Sequence, residues 1–120
     1  MCERLLDSGV EVDCVDNLLS GSEGNIAHLE GRPGFRFVRC DVSSDAVIGH
    51  LPGPYDLVLH FAWPRSPADC LRHPLETMDV GSLDPRNALA LAHRDGARFL
   101  LASTSEVYGD PLVHPQREDY

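Results

Sequence analysis

Four apolar runs of strand length, at residues 10–16, 35–40, 55–62 and 97–102, are separated by stretches of helical or turn-like pattern, and this alternation restricts the fold more than any other feature of the chain. Successive strands joined through helices cannot pair as hairpins and need crossover connections. The pattern therefore predicts an α/β fold built on a doubly wound parallel sheet. The run Tyr55-Asp56-Leu57-Val58-Leu59-His60-Phe61-Ala62 is the most continuous, as suits a parallel strand covered on both faces. The first two runs alternate instead, Val10, Val12 and Cys14 with Glu11 and Asp13, then Phe35 and Phe37 with Arg36.

Ahead of the first run, residues 2–9 read as the end of an amphipathic helix stopped by Gly9. Residues 26–29 form a short helical candidate. Residues 43–51 form another, with Ser43 or Ser44 as N-cap and Pro52-Gly53-Pro54 as its stop. Residues 73–96 are helical in pattern, but Asp84-Pro85 interrupts them, and an interior proline costs about 3 kcal/mol. Asp84 is then an N-cap and Pro85 the first residue of a separate helix running to Asp95, or the site of a kink, with Ala88, Leu89, Leu91 and Ala92 toward the sheet.

With 120 residues and 42% hydrophobic content the chain suffices for one domain and not for two, so residues 1–120 are read as one unit. Its formal charge of -9 repels phosphate backbones and anionic lipid, which argues against nucleic-acid and membrane partners. No apolar run reaches the length of a membrane span and Met1-Cys2-Glu3-Arg4 lacks the order of a signal peptide, so the expected location is cytoplasmic. Cys2, Cys14, Cys40 and Cys70 are scattered, without metal spacing to each other or to His. Reduced structural thiols and no metal site are expected. All ten basic residues are arginine; the chain has no lysine.

Each strand candidate ends in polar or aromatic residues, and open α/β sheets bind ligands at the carboxyl ends of their strands. The candidates are Asp16-Asn17, Asp41-Val42, Phe61-Ala62 with Arg65-Ser66-Pro67 beyond, and Ser103-Thr104-Ser105-Glu106. An Asp after a strand is equally a turn former or a helix cap. Arg65 offers a planar fork of donors to a phosphate or carboxylate, or else is a solvated loop cation.

The string Ser103-Thr104-Ser105-Glu106-Val107-Tyr108-Gly109-Asp110-Pro111 resembles the active-site strand end of the extended short-chain dehydrogenases that act on sugar nucleotides, most closely the UDP-glucuronate decarboxylases. The resemblance implies a Rossmann sheet and NAD as cofactor, with Asp16 and Asn17 at the adenosine ribose, Asp41 at the adenine amino group and Val42 against its ring. Phe61, Ala62 and Ser103 would line the dinucleotide. Arg65, Ser66, Pro67 and Ser105 would face the sugar nucleotide. Thr104 would polarise the C4 oxygen and Glu106 would contact the ring and assist proton handling. Dehydratases of the same group place Asp where this chain has Ser105, which favours decarboxylation of UDP-glucuronate to UDP-xylose over dehydration. An epimerase or dehydratase relative, or a non-enzymatic Rossmann remnant serving as an interaction module, are the competing readings.

The resemblance also implies parts that the sequence does not contain. No glycine-rich turn follows a strand, Gly21-Ser22-Glu23-Gly24 reading as a loop, and no Tyr-x-x-x-Lys couple is present; Tyr120 matches a non-catalytic loop tyrosine. The expectation is a partial Rossmann sheet lacking its central first strand, truncated at both ends, marginally stable and inactive alone. Members of the family usually form homodimers; the sequence leaves that open here.

Overall fold

The computed structural model describes residues 1–64 and 66–120; the candidate Arg65 lies outside them. Helix α1 (Cys2–Asp7) buries Leu6 and ends at Ser8, with Gly9 at φ 79°, a conformation that glycine adopts without Cβ strain. Strand β1 (Val12–Asp16) follows, then two 3-10 turns at Glu23–Asn25 and Ala27–Leu29, then β2 (Phe35–Arg39). Helix α2 (Val47–His50) leads to β3 (Leu57–His60), and α3 (Pro67–Arg72), α4 (Pro74–Val80) and α5 (Leu83–Asp95) lead to β4 (Arg98–Leu101). All four predicted strands form, β1 and β2 trimmed at one end and β3 and β4 at both. The first helix of the middle segment is shorter than expected: Ala46 precedes it, and the Ser44 hydroxyl accepts only the Ala46 N–H.

The break in the long helical segment falls one turn earlier than the proline suggests. Helix α4 ends at Val80, Gly81-Ser82 separates it from α5, and Pro85 sits in the first turn of α5, where its missing N–H has no partner to lose. Asp84 is therefore a residue of the first turn and not the N-cap. The buried stripe of α5 is Ala88, Leu91 and Ala92, at helical spacing, whereas Leu89 lies off the stripe and is 53% exposed.

The strands pair as two separate parallel sheets, β1 with β2 and β3 with β4, with Val12 opposite Phe35 and Leu57 opposite Arg98. Parallel ladders use the backbone groups of alternate residues. Val12 donates to Gly34 and Asp16 accepts from Cys40, so the backbones of Asp13 and Val15 turn away from β2. On the other sheet Asp56 accepts from Arg98 and His60 from Ala102, so the backbones of Leu57 and Leu59 turn away from β4. Among the described residues no strand stands between β1 and β3.

One core crosses this division. Val47, Leu51 and Leu91 are buried together, with Val15 and Val38 from one sheet, Val58 from the other and Tyr55 just before β3 packed against them. The packing is open: no described side chain is buried to under 2% exposure. The accessible surface is 8545 Å², against about 6,400 Å² for a compact monomer of this mass. The radius of gyration of 15.8 Å likewise exceeds the roughly 13.6 Å of a compact chain of this length. No helix among the described residues is long and apolar enough to cross a membrane.

Candidate functional site

Asp16 ends β1, and the loop beyond it is shaped by side chains that hold the backbone. Asp16 Oδ1 accepts the Leu18 N–H at 2.7 Å and Asn17 Oδ1 accepts the Leu19 N–H at 2.9 Å. These two turns force Leu18 to φ 60°, a left-handed conformation costly for any residue with a Cβ. Gly21 returns against the same carboxylate, 3.6 Å from Oδ1 at the point where a Cβ would stand. The stretch Gly21 to Gly24 leads only into a 3-10 turn capped by Ser22, so it presents no α-helix N-terminus to a pyrophosphate.

Asp41, just beyond β2, is tied to this loop. Its Oδ2 accepts from Asn17 Nδ2 at 3.0 Å, and its Oδ1 accepts from the Ser43 N–H and hydroxyl at 2.9 and 2.7 Å. Partial burial works against ionisation, but the Ser43 hydroxyl, Asn17 amide and Ser43 N–H together outweigh it and hold the carboxyl below its ordinary range. Helix α5 fixes the same loop, since Asn87 Nδ2 donates to the carbonyls of Val42 at 2.8 Å and Ser43 at 3.1 Å.

A cavity of about 560 Å³ runs between β1 and β3, and Asp16, Asn17, Val42, Phe61 and Ala62 all line it. A small polar cavity of about 40 Å³ adjoins it, lined by Asn17, Asp41, Ser43, Asp79 and Asp84 among others. The structure thus brings together the candidate residues from the ends of β1, β2 and β3. Those beyond β4 stand apart. Ser103, Thr104, Ser105 and Glu106 are exposed and line neither cavity. Thr104 caps the 3-10 turn Ser105–Tyr108, accepting the Glu106 N–H at 3.5 Å. Ser66 caps α3, accepting the Asp69 N–H at 3.2 Å and donating to its carboxylate at 2.8 Å, with Pro67 as the first helical residue.

Three polar residues of the site have no counterpart among the sequence candidates. Asn87 needs the fold to meet its carbonyls. His60 is buried at the end of β3, and burial holds its pKa below the ordinary value. Asp84 is 3% exposed, its Oδ1 has no hydrogen-bond partner among the described residues, and burial, then the charges of Asp41 and Asp79, push its pKa up to about 6. Asp84-Pro85 was legible only as a helix start, and its burial comes from the earlier start of α5. The cysteines are free, and burial, then Cys2, push the Cys14 thiol up to about 12, which leaves it protonated.

A sequence model of the NAD dependent epimerase/dehydratase family matches residues 1–120. The chain belongs to that family. Within it, the chain is 42% identical over 120 residues to UDP-glucuronic acid decarboxylase 1 of Danio rerio, covering all of this chain and 28% of that protein. It is 41% identical to UDP-glucuronic acid decarboxylase 1 of Arabidopsis thaliana, again over 120 residues and 26% of the relative. The chain therefore spans little more than a quarter of the length of these relatives. Among solved structures, dTDP-glucose 4,6-dehydratase from Streptomyces venezuelae, with NAD bound, superposes with a TM-score of 0.78 at 23% identity, over 92% of this chain and 37% of that one. UDP-glucose 4-epimerase from Bifidobacterium longum, in complex with NAD+ and UDP, gives 0.77 at 24% identity over 97% of this chain and 36% of that one. The fold is that of the family's Rossmann domain, in part, and the family's cofactor is NAD.

Proposed function

We propose that the chain is the adenosine-binding and sugar-contacting portion of an NAD-dependent UDP-glucuronate decarboxylase. The observation that carries this reading is the identity of 41–42% over the whole chain to proteins named for that activity, against 23–25% to the dehydratases and epimerases among the solved structures. The string from Ser103 to Pro111, with Ser105 before Glu106, supports decarboxylation over dehydration.

The residues present suit the nucleoside end of NAD. Asp16 offers carboxylate acceptors at the cavity wall for vicinal ribose hydroxyls, and its charge disfavours a 2′-phosphate. Asp41 would accept from the adenine amino group, with Val42 and Phe61 supplying apolar wall to the base. Ala62 and Ser103 would lie along the dinucleotide. When bound, NAD+ supplies the hydride acceptor. Thr104 would donate to the sugar C4 oxygen and Glu106 would hold a ring hydroxyl and its proton, while Ser105, Ser66, Pro67 and Arg65 would face the nucleotide sugar. With no lysine in the chain to lower a tyrosine pKa, these residues bind and orient without completing turnover.

Thermal unfolding of the chain with millimolar NAD+ and, separately, millimolar UDP-glucuronate tests the reading, because a ligand that binds only the native state raises the midpoint. Both are expected to raise it, with Asp16→Asn reducing the first shift and Thr104→Val the second. Indifference to both ligands overturns the reading.

A further inference from the structure

Asp84 is a buried carboxyl whose Oδ1 has no hydrogen-bond partner among the described residues, on the wall shared by the two cavities. It is 3% exposed, and it lines both the 560 Å³ cavity and the 40 Å³ cavity next to Asp41. A buried polar atom left unpaired costs about 1–3 kcal/mol, so its retention requires an account. Its position is held from two directions: it lies one turn before Asn87, which is bonded to the Asp41 loop, and α5 packs on α4. The small cavity has room for a water or an amino group and none for a ring; the larger one has room for a purine. No three His, Cys, Asp or Glu side chains among the described residues are grouped so as to hold a metal ion.

We propose that Asp84, in its protonated form, is a specificity residue that pairs with the amino edge of an adenine base seated beside Asp41. This deepens the proposed function and rests on it. A carboxylic acid presents a carbonyl acceptor beside a hydroxyl donor, which matches an exocyclic amino group beside a ring nitrogen. The ionised carboxylate has acceptors only, so it loses the bond to the ring nitrogen and adds a second charge next to Asp41. Binding therefore draws a proton onto Asp84. The ionisable groups on the surrounding elements are Asp16 at the end of β1, Asp41 after β2, Asp45 and His50 before and in α2, His60 in β3, Glu76 and Asp79 in α4, and Arg98 at the far end of β4. Asp41 and Asp79 favour the protonated form of Asp84, and the two histidines, His50 and His60, are the neighbours that would mimic the effect.

The test is calorimetric titration of the chain with NAD+, whose own groups do not titrate between pH 6 and 8, in buffers of differing ionisation enthalpy. For a group that titrates near 6 and binds only when protonated, affinity falls about 50-fold from pH 6 to pH 8, with net proton uptake at pH 7. Asp84→Asn, which keeps an acceptor and a donor without a charge, is expected to bind equally at both pH values, as tightly as the unaltered chain at pH 6, and to take up no proton. Binding without pH dependence or proton uptake in the unaltered chain overturns this proposal and leaves the proposed function standing. A pH dependence that persists in Asp84→Asn assigns the proton to a neighbouring histidine and overturns it also. Absence of binding at every pH overturns both. Proton uptake is read on the unaltered chain and so does not depend on the variant folding.

Discussion

The Tyr55 hydroxyl donates to the carboxylate of Asp13, tying the segment that enters β3 to β1 across the space between the two sheets. Arg36 of β2 grips the same carboxylate through Nε at 2.8 Å and Nη2 at 2.5 Å. The Arg36 bonds chiefly, against some cost of burial and with help from Tyr55, hold Asp13 below its ordinary range. Such a group stabilises the fold above its unfolded value of 3.8, and that contribution is lost as pH falls through the lower folded value. Tyr55→Phe is expected to cost about 1–2 kcal/mol in denaturant unfolding, as a hydrogen bond to a charged group. A double-mutant cycle with Asp13→Asn should show the two changes coupled; strict additivity would mean that the sheets are not joined there in solution.

Asp84 has the opposite linkage. Its folded pKa of about 6 lies above the ordinary 3.8, so the buried charge costs stability in full above pH 6, and the cost vanishes below 3.8. Without ligand, Asp84→Asn should stabilise the chain at pH 8 by up to about 3 kcal/mol, a gain that holds down to about pH 6 and is roughly halved at pH 5. Thermal midpoints of the two proteins across that range check the sign; a constant difference would mean that Asp84 is not buried.

The strands were legible because two of them alternate apolar with charged residues and the others are near-continuous apolar runs, the two hydropathy patterns that strand burial leaves in a sequence. The end of α5 was legible too, since Gly96 takes the left-handed cap at φ 67°. What the sequence did not disclose depends on distance in the chain. Asn87 meets Val42 and Ser43 across more than forty residues, and Asp84 is buried only because Gly81-Ser82, and not the proline, separates the helices. Ser66 and Thr104, read for their chemistry, are both held as caps, a role that any Ser or Thr before a turn competes for.

The turn into β3 packs on the end of α5 with no space to spare. Gly53 is at φ 61°, and a Cβ there would stand 2.5 Å from Asp95 Oδ2 and 2.6 Å from Arg94 Nη2. Those side chains are engaged: Asp95 accepts the Tyr55 N–H at 3.1 Å and Arg94 donates to the Leu51 carbonyl at 3.0 Å. Gly53→Ala should therefore destabilise by about 2 kcal/mol, from the strained backbone and the displaced ion pair together. Gly49→Ala, in open space, is the control, and an equal effect at both positions would refute the argument.

The facing edges of β1 and β3 carry backbone groups with no ladder partner, and Leu57 and Phe61 on that side are 39% and 47% exposed. Unpaired parallel edges with apolar flanks are templates for further strands. The chain is expected to self-associate as its concentration rises, despite a net charge of -9 that opposes association. Sedimentation velocity from about 5 to 200 µM, in low and moderate salt, reads this directly. Leu57→Lys should shift the distribution toward monomer with little loss of stability, because lysine on an edge strand resists pairing while the exposed leucine contributes little to the core. A single species near 13 kDa at every concentration would mean that the two edges satisfy each other or water in solution, and that the division between the sheets is closed.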